Sequence, residues 1–181
     1  LIGCMALHQD MAKGITVTSS IITISGSTTE AAPGVMEEEE IPLSLDILGR
    51  EVLLIYAVDV NVGNPDALAA TDTNVKCSLS TTSRTTIGNI QDVNVFARGS
   101  REIRAAGFVD GGVAFMDVSP ETPTANALDY IAIVSTNDFF VQVQSTNNLA
   151  AKGASWRVWC ARAKVTADIY AALVQSETLS A

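Results

Sequence analysis

The sequence predicts a mainly β fold: a single antiparallel β-sandwich, jelly roll or barrel with a short C-terminal helix and an extended N-terminal arm. Three observations predict it. Residues with β-branched or aromatic side chains gather in short runs, and nearly every run is bounded by Gly, Pro, Asn or Asp. Of the 181 residues, 48% are hydrophobic, enough for one sizeable core without metal or disulfide staples. About eight or nine strands at such spacing indicate two packed sheets or a closed barrel.

The elements follow in order along the chain. Residues 15–24, ITVTSSIITI, read as a strand that stops at Ser25, Gly26 and Ser27. Residues 28–40 are polar and acidic, with a turn signal at Pro33 and Gly34 and the run Glu37, Glu38, Glu39, Glu40. Four adjacent carboxylates cannot be buried together, so this stretch is expected to be a solvated loop or linker. Residues 52–62, VLLIYAVDVNV, begin as a continuous apolar run and end in strict alternation, as in a central strand whose far end is half exposed. Further strands are predicted at 73–79, 93–97, 101–105, 113–118, 130–134, 139–144 and 156–160. Beyond them Ala163, Ala167, Tyr170, Ala171 and Val174 share one helical face, with Thr166 placed as N-cap of a short helix near 166–177. The chain thus divides into an arm, residues 1–45, holding one strand and the acidic linker, and a β-sandwich domain, residues 46–181.

Charge narrows the function classes. With 20 acidic and 11 basic residues the net charge is −9, which argues against direct nucleic-acid binding, a process that relies on Lys and Arg to neutralise phosphates. The longest apolar run, 52–58, is far short of a membrane-spanning helix, for which about 20 residues are needed. Residues 1–4, LIGC, have the form of a lipid-attachment box, but no charged or apolar signal region precedes them here, which argues against lipidation. Cys4, Cys77 and Cys160 lie far apart and fit no zinc-ligand spacing, so free buried thiols are expected.

Sites for chemistry are sparse. His8 is the single histidine and lies in the N-terminal segment, so any Ser-His or Cys-His catalytic pair would have to be built on a tail residue. No Gly-rich phosphate loop or nucleophile-elbow motif occurs, and no enzyme activity or cofactor is expected. Calcium is the one ion with a candidate site: Asp59, Asn61, Asn64 and Asp66, with Asp72 nearby, offer several oxygens within one short stretch. The same residues also suit an Asx-rich turn at a strand end. Arg98, Arg101 and Arg104 are spaced by three, so on one strand successive members point to opposite faces and form no phosphate-reading row. Salt bridges to acidic residues are the expected role for them and for Arg84, Arg157, Arg162 and Lys164. Trp156 and Trp159 also fall on opposite faces, which sends one of them to the core.

Taken together, residues 52–62, LSTTSRTT at 79–86, DYIAIV at 129–134, DFFVQVQ at 138–144 and IYAALVQ at 169–175 resemble the small single jelly-roll proteins of virion shells. The resemblance covers residues 45–181 and lies in texture and strand order. It implies a structural subunit, located in a virion, whose partners are copies of itself in a large homo-oligomer together with other shell proteins. Many such shells carry a basic N-terminal arm that touches the genome, whereas residues 1–45 are acidic here. Two other classes remain open: an extracellular or cell-surface filament or surface-layer subunit assembling by strand donation, and a ligand- or carbohydrate-binding β-sandwich. The 15–24 strand could pair on a neighbouring subunit, since a coiled linker of about 27 residues spans roughly 25–30 Å, or fold back on its own sheet.

Overall fold

The structure is a computed structural model that describes residues 14–107, 112–120 and 129–180. Ten strands and one helix run in the order β1 Ile15–Val17, β2 Ile22–Thr29, β3 Glu37–Pro42, β4 Glu51–Val62, β5 Thr73–Ser80, β6 Val95–Arg104, β7 Ala114–Val118, β8 Ala132–Val134, β9 Asp138–Thr146, β10 Gly153–Val165 and α1 Ala167–Ser180. They form two antiparallel sheets. In the first, β10 and β4 are central, β8 lies beyond β4, and β1 and β2 lie along the free side of β10. The second runs β3-β9-β5-β6-β7.

The pairings are nested. β5 pairs with β6 innermost, β4 with β8, β3 with β9, and β2 with β10 outermost. A chain paired in this way is one long hairpin rolled up so that successive pairs fall in alternate sheets. That is the eight-strand jelly roll, with β1 added beside β10 in the first sheet and β7 at the edge of the second. The predicted fold class is therefore found, and with it the short C-terminal helix.

Between the sheets the side chains alternate inward as strand geometry requires. Leu53, Ile55, Val58, Val60 and Val62 of β4 meet Val75, Cys77 and Leu79 of β5, Phe139, Val141 and Val143 of β9, and Trp156, Val158 and Cys160 of β10. The shift from odd to even positions along β4 follows the bulge opposite Trp159 and Cys160. Phe139 holds the centre edge-on to Trp156, with ring centroids 5.7 Å apart. The unbroken apolar run that opens β4 has a second cause. Val52 and Leu54 face away from the sandwich and are buried with Ile15, Ala163 and Val165, packed against Ile169, Tyr170 and Leu173 of α1.

Three expectations are corrected by the fold. The acidic run is not a solvated linker: it forms most of β3, paired with β9. The four carboxylates are never buried together, because a strand sends neighbours to opposite faces. Glu37 and Glu39 share a face with Ile41, while Glu38 lies opposite Gln142 on the other. Residues 15–24 are two strands, interrupted where the Thr18 and Ser19 amides both turn to the Arg162 carbonyl, and both pair with β10 of the same chain. The division at residue 45 thus coincides with no break in the sheets. On α1, Ala171 is exposed and Ala163 belongs to β10, so the packed face is Ile169, Tyr170, Leu173, Val174 and Glu177. Helix formation does begin just after Thr166, whose carbonyl accepts the Tyr170 amide.

Candidate functional site

The candidate calcium residues take different partners. Asp59 and Asn61 point outward from β4, opposite Arg157 and Ser155. Asn64 Oδ1 accepts a hydrogen bond from Arg101 at 2.6 Å. Asp66 Oδ1 pairs with Lys152 Nζ at 2.5 Å and its Oδ2 accepts the Leu149 amide. The hydrogen bond from Lys152, followed by that amide, holds the Asp66 carboxyl below the usual carboxylate range. Asp72 is lowered in the same way by the Ala106 and Ala105 amides. The side-chain oxygens of Asn64, Asp66 and Asp72 thus serve protein cations and backbone donors. Among the described residues no group of three His, Cys, Asp or Glu side chains is placed to hold a metal ion.

The basic residues largely take up the predicted salt bridges. Arg84 pairs with Asp92 at 2.7 Å, Arg101 with Asp117 at 3.1 Å, Arg104 with Glu102 at 3.3 Å and Arg162 with Glu51 at 2.8 Å. Arg157 instead lies over the ring of Trp159, while Trp156 is in the core. Cys77 and Cys160 are free and buried, and burial pushes their thiols up to about 12 and about 11, so neither is a ready nucleophile at neutral pH. Cys4 and His8 lie outside the described residues.

Arg84 organises the segment between β5 and β6. Its side chain donates to Asn94 and Asp92, and its amide donates to Glu38 Oε2 at 2.7 Å. The segment is thereby pinned over the outer face of the second sheet, where it covers a polar network. Ser78 donates to Gln142 Oε1, and Gln142 Nε2 donates to Glu38 and Ser80. Each of these buried groups has a partner, as buried polar groups require.

The sheet edges differ in how they meet water. β8 is only three residues long and β3 carries four glutamates, and both devices discourage pairing with another chain. β7 has neither. All five residues of β7 are exposed, among them Phe115 at 73%, Met116 and Val118, and among the described residues it pairs with β6 on one side only. Beside it Ile90 and Val93 are 87% and 85% exposed, and Ile90, Phe96, Val118 and Pro120 line a cavity of about 310 Å³. The one charged side chain of β7, Asp117, is neutralised by Arg101. Sequence reasoning found this strand but not its exposure. Ala114, Phe115 and Met116 are consecutive apolar residues, a pattern as consistent with a buried strand as with an open edge.

No protein-family model and no curated protein sequence matches the chain. Among solved structures it is similar to a chain of Desmodium yellow mottle tymovirus, over 82% of this chain and 90% of that one, at 14% identity and a TM-score of 0.32. It is also similar to a chain of Cocksfoot mottle virus, over 80% of this chain and 93% of that one, at 12% identity and a TM-score of 0.34. The jelly-roll assignment rests on the strand pairing itself.

Proposed function

We propose that this chain is a non-catalytic structural subunit that assembles with copies of itself into a shell, as a capsid protein in a virion. The observation that carries the reading is the β7 edge, which among the described residues leaves a row of backbone groups unpaired, flanked by exposed apolar side chains, and in water is a site for another strand. A second copy of the chain is the occupant, and charge supports that choice. Copies carrying −9 each repel, so they meet best where the local charge is balanced, and along β7 Asp117 is matched by Arg101. A small-molecule binder of this architecture would keep space between its sheets. Here that space is filled by Leu53, Ile55, Leu79, Phe139, Val141 and Trp156.

The test is light scattering with negative-stain microscopy on the wild type and on the double variant Phe115→Lys, Met116→Lys. The expected result is large closed particles for the wild type and a folded monomer, with unchanged circular dichroism, for the variant. A wild type that stays monomeric at high concentration, or a variant that assembles equally well, overturns the proposal.

A further inference from the structure

The outer face of the second sheet carries a cluster that the assembly reading does not use. Along β5 the core residues are Val75, Cys77 and Leu79, which leaves Asn74 and Lys76 on the opposite face. Strand pairing brings Gln144 opposite Lys76, Thr146 opposite Asn74, and Arg98 to the position diagonal to Lys76. The backbone from Thr86 to Asn89 walls the space above them, leaving a cavity of about 260 Å³.

Two features of this cavity ask for a ligand. Among the described residues, the buried side-chain polar atoms without a hydrogen-bond partner are Asn74 Oδ1 and Arg98 Nε, and both belong to residues that line it. Among the described residues neither Lys76 nor Arg98 is ion-paired, and Glu102, on the same face and diagonal to Lys76, is paired with Arg104. Two unmatched cations on diagonal positions of a sheet repel each other, and unpaired buried polar atoms cost stability. The Arg98 guanidinium is also held in place, since its Nη1 donates to Asn89 Oδ1 at 2.6 Å.

We propose that this cavity binds a small oxyanion, a phosphate group that keeps one proton. Its charged oxygens face the Lys76 ammonium and the Arg98 guanidinium, and its hydroxyl donates to Asn74 Oδ1. A sulfate ion or a plain carboxylate supplies the charge but, at neutral pH, not the donor. The inference does not rest on self-assembly, and a monomeric β7 variant keeps the site.

The experiment uses the full chain at fixed ionic strength, with inorganic phosphate as probe and sulfate as control, read by melting temperature and by ³¹P line width. At ten times its Kd, phosphate is expected to raise the melting temperature by about 3–5 °C, with sulfate giving less. Lys76→Gln loses the response. Asn74→Asp, which removes the neutral acceptor and sets a carboxylate opposite Glu102, loses it too. The two variants are independent, so a failure of one to fold leaves the other to decide. Adenosine monophosphate at about pH 5.5, where its phosphate mostly keeps one proton, distinguishes the source: a shift at lower concentration than free phosphate at the same pH means the group is presented as an ester, and a weaker response means the free ion. Equal shifts with phosphate and sulfate, a response retained in both variants, or no response in the wild type overturns the proposal.

Discussion

Glu30 shows how much a single residue carries in this fold. It is 4% exposed, and its carboxylate accepts hydrogen bonds from the Ser145 amide, the Ser145 hydroxyl and the Lys152 amide. Its own amide donates to the Lys152 carbonyl, so the chain just after β2 is tied to the segment between β9 and β10. Glu30→Ala leaves two backbone donors buried without partners and is expected to cost roughly 2–5 kcal/mol, measured as a lower urea midpoint at constant slope. In the sequence Glu30 is one more acid in a polar stretch; its partners are more than a hundred residues away. The calcium candidates lead to a second expectation at this scale. Because Arg101 and Lys152 already occupy Asn64 and Asp66, melting curves in calcium and in chelator should coincide, and a clear stabilisation by calcium would contradict that.

At the scale of the element, β3 and α1 turn on where their acids point. β3 tolerates four glutamates because each face receives two, and two of them are used: Thr28 donates to Glu39 at 2.5 Å, and Ser83, the Arg84 amide and Gln142 donate to Glu38. On α1 the acid is a liability. Glu177 is buried in the last turn, at the negative end of the helix dipole and with no basic residue in that turn. Burial pushes its carboxyl above the ordinary range, with Asp138 adding to the effect, against the opposing hydrogen bonds from the Ser135 amide and hydroxyl and from Thr136. A folded pKa raised in this way adds stability that is present below the unfolded pKa and lost as pH rises through the folded one. Amide exchange in α1 should therefore speed up, beyond the intrinsic rate, from mildly acid to neutral pH. Glu177→Gln, which keeps a partner for Ser135, should abolish that dependence. Asp66 and Asp72 run the other way: their pKa values are lowered, so their contribution is present above the unfolded pKa and lost as pH falls through the folded one.

For the whole molecule, the balance lies between an apolar edge that favours association and a net charge of −9 that opposes it. Salt screens the repulsion and leaves burial of Phe115 and Met116 untouched, so assembly should strengthen with ionic strength. Light scattering across a salt series checks this, and the Phe115→Lys, Met116→Lys variant should remain monomeric throughout. Assembly that weakens with salt would mean that ion pairs between copies drive it instead of the β7 edge.

The sequence by itself determined what depends on local period and composition. Alternation marked the core side of the second half of β4, the spacing of Trp156 and Trp159 sent one ring inside, and the wide separation of Cys77 and Cys160 pointed to free buried thiols. Tertiary structure decided the rest. Four glutamates form a strand because β9 offers an edge to pair with, Ile169 and Leu173 face inward because Val52 and Leu54 need cover, and Glu30 is buried because Ser145 and Lys152 come to meet it. The same holds for the surface. Whether a strand is central or open to a partner is set by which pairings the rolled hairpin completes, and those join residues far apart in the chain. That is why β7 and the cavity by Lys76 and Arg98 can be read only from the assembled sheets.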